Sequence, residues 1–142
     1  MLAGSDQYVV GNFAIGSHPR GIEAGDADNP AIMAKLRESR EKSAEAWRTI
    51  LDADVNVAMG TDSMHGFMYY EVGTFVELGA SPERALNAAT LDAARAIHRE
   101  DDVGSVEPGK RGDLVLLDGD PTRNVDVLEE PVGVFKDGEE VY

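Results

Sequence analysis

The sequence has no cysteine, so disulfides and thiolate chemistry are both excluded. It has no apolar run near the roughly 20 residues that a membrane helix needs. Met1 to Asp6 shows no basic region followed by an apolar stretch. Neither a membrane span nor a secretion signal is therefore expected, and the expected location is cytoplasmic. Lysine is scarce: 4 Lys and 9 Arg stand against 27 acidic residues, for a net charge of −14. The acidic residues are spread along the chain, which argues against nucleic acid or an anionic membrane as partner. A dispersed acidic surface poor in lysine fits a cytoplasm of very high salt, where screening removes the self-repulsion. A halophilic source is expected, with an ordinary acidic bacterial protein as the plainer alternative. The three histidines, His18, His65 and His98, share no close metal-ligand spacing. What remains is 142 residues, 42% of them hydrophobic, enough for one domain with a real core.

The chain is organised around Val55 to Gly66, VNVAMGTDSMHG. The run Val55 to Met59 has the length and β-branched content of a buried strand, and Gly60-Thr61-Asp62-Ser63 are turn residues. Asp62 is thereby placed at the C-terminal mouth of a strand, where ligands and catalytic groups gather in α/β proteins. On the residues alone, the favoured reading of Asp62 is that it caps the helix that follows.

Upstream, Tyr8-Val9-Val10 and Phe13-Ala14-Ile15 read as a strand remnant followed by a Gly-rich loop through Asp28. His18 in that loop is either a substrate contact or a solvated loop histidine. Asn29-Pro30 is a helix start, with Asn as cap and Pro at the first position. The segment to Ala53 has helical apolar spacing with a polar gap from Arg37 to Ser43, so it is one long helix or two. Trp47 reads as a core anchor. Downstream, Met68 to Leu78 is a helix closed by Gly79, and Ser81-Pro82 opens a third helix. Thr90 is a candidate cap for a short helix reaching His98, a histidine read as structural or solvent-facing. Glu71 is read as structural. From Asp101 the period becomes that of strands: Asp113 to Asp118 is an apolar strand, and Asp137-Gly138 between two β-type runs marks a hairpin.

The ordered set GTDSMHG, then LGASPERALNAAT, then EPGKRGDLVLLDGDP and the terminal VFKDGEEVY resembles the C-terminal third of the amidohydrolase superfamily. The likeness is to its imidazolonepropionase-like and prolidase-like (Xaa-Pro dipeptidase) branch. It spans Val55 to Tyr142 well and Met1 to Asp54 loosely. The resemblance implies an α/β chain: the last strands and helices of a metal-dependent hydrolase (β/α)8 barrel over residues 1–100, then a small β-sandwich subdomain over 101–142. It implies that Asp62 is the catalytic carboxylate. There it would ligate a divalent metal, zinc or manganese, take a proton from metal-bound water and pass it to the leaving nitrogen. It also implies that His65 flanks the substrate pocket. Gly109 to Asp113 resembles the family's GKxADL turn, with Gly112 where Ala is usual, so Lys110 is structural and not catalytic.

An intact (β/α)8 barrel takes about 250 residues, more than this chain has. The family's other ligands, a His-x-His pair, a modified lysine or glutamate and two further histidines, are absent from this sequence. A catalytic zinc needs about three protein ligands. The expectation is therefore a chain that alone binds no catalytic metal and hydrolyses nothing. It would act on a small-molecule amide or peptide substrate only with a separately encoded N-terminal half. The alternative is a non-catalytic remnant that folds as a self-associating α/β protein. Either way, exposed strand edges and helix faces favour a homo-oligomer or larger assembly.

Overall fold

The computed structural model describes residues 4–21, 29–53, 55–62 and 64–142. Part of the expected loop before Asn29, together with Ser63, lies outside the described residues. The first strand, β1 (Tyr8–Gly11), leads through a short helix, α1 (Ala14–Ser17), towards the long helix α2 (Pro30–Asp52). Strand β2 (Asn56–Met59) follows, then helices α3 (Met68–Glu77), α4 (Pro82–Ala89) and α5 (Leu91–Ala96). The chain closes with β3 (Leu114–Leu116), a 3-10 turn (Val125–Leu128), β4 (Gly133–Lys136) and β5 (Glu139–Glu140).

β1 and β2 pair in parallel, Tyr8 opposite Asn56 and Gly11 opposite Met59. The Gly60 N–H donates to the Gly11 carbonyl at 2.9 Å and carries the pairing one step past the strand end. A parallel pair needs a long crossover, and α2 supplies it as one unbroken helix of 23 residues. Asn29 caps it as expected, its side chain accepting from the backbone of Ala31 and Ile32. The polar gap from Arg37 to Ser43 does not divide the helix, because these good helix formers need no burial there.

Val57 and Met59 of β2 face the helices and join Phe13, Val72, Phe75, Ala80, Ala85 and Ala88 in one core. Trp47 of α2 packs on this core with its ring edge towards Phe13 at 5.2 Å and Phe75 at 6.0 Å. That is the anchoring role its helical spacing predicts. Gly11 ends β1 because this corner is full. A Cβ there would meet the Phe13 and Trp47 rings at 3.2 Å.

Several local expectations shift. Phe13-Ala14-Ile15 is not strand: Ala14 and Ile15 open α1, and a carboxylate described below holds that turn. The short helix α5 stops at Ala96, and His98 stands exposed with a left-handed backbone, φ +56°. The Thr90 side chain does not cap it; its hydroxyl donates back to the Leu86 carbonyl at 2.7 Å. Ser81 does cap α4, accepting from the Arg84 N–H at 3.2 Å.

The hairpin forms as expected. Asp137 and Gly138 both take positive φ, +52° and +84°, the pattern of a two-residue turn that matches strand twist. The second sheet runs β3-β4-β5, all antiparallel. Its turn chemistry ties back to Gly109–Asp113: Arg111 donates to Asp102 and, at 3.1 Å, to Asp137. Lys136 pairs with Asp113. A Cβ at Gly112 would lie 2.8 Å from the Gly138 nitrogen, so this turn has room only for glycine. Lys110 reaches Glu107 at 3.2 Å and serves this turn. Val125 and Leu128 of the 3-10 turn pack against the helical core and join the two halves. No described helix is long and apolar enough to cross a membrane.

Candidate functional site

The C-terminal ends of two parallel strands define one mouth. On the β2 side the chain runs Gly60-Thr61-Asp62 and turns, with the Met64 N–H donating to the Thr61 carbonyl at 2.9 Å. Asp62 is exposed and left-handed, φ +45°, a conformation that aspartate tolerates better than most residues. It does not cap α3. The N-cap position of that helix is Phe67, five residues on, with no side-chain cap bond. The capping explanation for Asp62 is thereby removed. Among the described residues its carboxylate has no hydrogen-bond or ion-pair partner. His65 lies in the next turn and is exposed.

On the β1 side the mouth is held by a residue assigned only a structural part in sequence. Glu71, in the first turn of α3, is completely buried, the one buried charged residue among the described residues. Its two carboxylate oxygens accept the Phe13 N–H at 2.5 Å and the Ala14 N–H at 2.9 Å. These are the donors left open where β1 ends and α1 begins. Burial pushes the Glu71 carboxyl above its ordinary value, against the pull of the two backbone donors. One side chain thus joins the segment after β2 to the segment after β1. A signal for this was present: Glu71 lies one turn before Phe75 and beside Val72, within the apolar stripe of α3.

His18, just past α1, packs against the start of α3. Its ring centroid is 4.4 Å from Phe67 and 4.8 Å from Tyr70. Its Nδ1 accepts the Arg20 N–H at 3.1 Å. The Arg20 guanidinium lies 5.0 Å from the Phe67 ring centroid. The histidine is packed, not loose in solvent. A separate cleft of about 400 Å³ between α1, α2 and α3 is lined by Phe13, Leu36, Arg40 and Leu78 among others, and includes neither Asp62 nor His65.

Among the described residues, no three His, Asp or Glu side chains come together to hold a metal ion. The donor set among the described residues falls short of a catalytic metal, which needs about three protein ligands. At the mouth it offers one unpartnered carboxylate.

The amidohydrolase family profile matches residues 18–141. The chain belongs to the amidohydrolase family. Among its relatives, the imidazolonepropionase of Cutibacterium acnes is 45% identical over 76 residues, covering 49% of this chain and 19% of that protein. A solved Xaa-Pro dipeptidase with methionine bound in its active site superposes with a TM-score of 0.80 at 28% identity, over 94% of this chain and 34% of that one. A prolidase solved with N-methylphosphonate-L-proline gives a TM-score of 0.78 at 25% identity, over 94% of this chain and 34% of that one. The chain thus spans about a fifth of the length of this curated relative and about a third of these solved chains. This amidohydrolase chain is an α/β segment that matches part of such structures, with a small antiparallel sheet besides. The family is metal-dependent.

Proposed function

We propose that this chain is the C-terminal end of an amidohydrolase catalytic unit acting on carbon–nitrogen bonds. In this reading β1 and β2 are the last strands of a (β/α)8 barrel. Residues 1–100 form the barrel segment, and residues 101–142 form the β subdomain. Asp62 is the site's carboxylate: it accepts a proton from the attacking water and returns it to the leaving nitrogen. His65 flanks the substrate. The histidines that complete a zinc or manganese site come from residues outside this chain, and without them the chain is inactive. The substrate class is a small amide, cyclic amide or dipeptide, as the names of the relatives suggest.

The observation that carries the reading is the family match from residue 18 to 141, with Asp62 exposed, unpartnered and free of any capping duty at the mouth of β2. The test is reconstitution with a chain carrying the complementary N-terminal part of such an enzyme. Asp62→Asn should abolish hydrolysis by the pair and leave assembly intact. Retained hydrolysis would sink the role of Asp62.

A second reading is a non-catalytic, self-associating remnant. It is favoured by the bare apolar side chains of β3, with Val115 57% and Leu116 54% exposed. A stable homodimer that refuses every complementary chain would support it.

A further inference from the structure

We propose that Glu71 is a positioning residue for Asp62: it clasps the turn that carries Asp62 to the end of β1, and so fixes where that carboxylate stands. The proposal rests on the reading of Asp62 as the site's carboxylate. The geometry is a closed ring of chain. At one end the Gly60 N–H donates to the Gly11 carbonyl at 2.9 Å, the last rung between the two strands. From there the chain passes Asp62 and reaches α3 through linked turns. The Met64 N–H donates to the Thr61 carbonyl at 2.9 Å, the Phe67 N–H to the Met64 carbonyl at 3.2 Å, and the Glu71 N–H to the Phe67 carbonyl at 3.1 Å. Glu71 then returns to the exit of β1, its carboxylate oxygens accepting the Phe13 and Ala14 N–H groups at 2.5 and 2.9 Å. Phe13 follows Gly11 by two positions. The Asp62 turn is therefore fastened at both ends to one short stretch of backbone.

Asp62 is exposed, left-handed and without a side-chain partner among the described residues, so its own contacts do not hold it. The turn must be held from outside. Glu71 does this with both oxygens, at the cost of burying a carboxylate where an apolar residue would be cheaper. The same turn of α3 also grips the far end of α1, where the His18 ring packs on Phe67 and Tyr70. The exit of β1 is thus docked as a unit on the start of α3. The clasp is specific for glutamate. Glutamine keeps the length but offers one acceptor and turns an amide N–H₂ towards the second donor. Aspartate keeps both acceptors but is one methylene too short.

The test follows amide hydrogen exchange on the purified chain, native and Glu71→Gln, with Val72→Ala as control. Val72 is the next residue and is also buried, but it carries no acceptor. In Glu71→Gln the Met64 N–H should gain at least about tenfold in exchange rate over the gain at Phe75, the scale of one unmet buried donor. The Phe13 and Ala14 N–H groups should speed with it. In Val72→Ala, Met64 and Phe75 should speed by the same factor. Equal speeding of Met64 and Phe75 in Glu71→Gln would overturn the clasp, because a merely structural glutamate loosens the whole core alike. Should Glu71→Gln not fold, the native chain decides in low urea: Met64 should open together with Phe13 and Ala14, and independent opening would overturn the proposal. In a reconstituted pair, Glu71→Gln should lower kcat at least about tenfold with KM unchanged, because a displaced carboxylate harms the reaction after substrate is bound. Unchanged kcat would overturn the positioning role. If hydrolysis ignores Asp62→Asn, the catalytic reading falls, and exchange alone still decides the clasp.

Discussion

The elements up to Ala96 and those after Asp101 treat apolar residues in opposite ways. In the first set, Val72 and Phe75 of α3 are 2% and 0% exposed, and β2 is buried over Val57, Ala58 and Met59. In the second set, every residue of β3 is exposed, and Val132, Val141 and Tyr142 stand bare as well. The two sets also use charge differently. The first buries one carboxylate, Glu71, against backbone donors. The second holds its turns with exposed pairs, Arg111 with Asp102 and Asp137, and Lys136 with Asp113. The lesson is about where the missing contacts lie. The α/β set has built a core from β2, α3 and α4, although Val10 of β1 is 56% exposed and α2 buries only Met33. The terminal sheet has the strand pattern and turn chemistry of a finished unit, but no second layer covers it among the described residues. A sheet that shows apolar side chains on an open edge strand is built to receive another surface.

The comparison breaks most readily at Phe75. Phe75→Ala removes a fully buried ring that touches Phe13 and Trp47, and should destabilise the chain by about 3–5 kcal/mol in a urea titration. A small loss would mean that the helical core is looser than its packing indicates.

Glu71 gives the next effect, and it has a sign. Its carboxyl is raised by burial, so the folded chain holds that proton to higher pH than the unfolded chain does. Its contribution is fullest below the ordinary glutamate range and is lost as pH rises through the raised value. Asp113 runs the other way: the Lys136 hydrogen bond, first, and the Asp137 N–H hold it low. Its contribution is present above the ordinary aspartate range and lost as pH falls through the lowered value. Urea midpoints of native chain and Glu71→Gln, taken across a pH series, should show the native advantage shrinking as pH climbs above the ordinary glutamate range. A constant difference would contradict the burial argument. Removing the acceptor altogether with Glu71→Ala leaves the Phe13 and Ala14 donors unmet and should destabilise by about 3 kcal/mol.

The smallest expected effect sharpens the comparison from the other side. Leu116→Lys on β3 should change the stability of the isolated chain by no more than about 0.5 kcal/mol, because the side chain is already half in solvent. Light scattering should nevertheless show weaker association. A large destabilisation would mean that the sheet is covered within this chain after all.

Much of this was legible in the sequence. Asn29-Pro30 and Ser81-Pro82 announced their helices because capping chemistry is local. Asp137-Gly138 announced its hairpin because only a few residue pairs accept two positive φ values. Asp62 was placed at a strand end by the run before it. Other features were not legible, because each depends on a partner distant in sequence. The Phe13 turn becomes helical through a carboxylate 58 residues away. His18 becomes packed only once Phe67 and Tyr70 close on it. Exposure at β3 was hidden for a similar reason, since an apolar strand looks the same in sequence whether or not something covers it.

The most direct test of the central claim, that this chain carries one carboxylate of a site completed elsewhere, is metal stoichiometry. The chain would be purified, equilibrated with zinc or manganese, dialysed and measured by elemental analysis, with its mass read by light scattering. The account predicts far less than one metal per chain, because Asp62 alone cannot supply the three or so ligands required. One tightly held metal per chain, lost in Asp62→Asn, would contradict it and show that copies of this chain build a complete site between them.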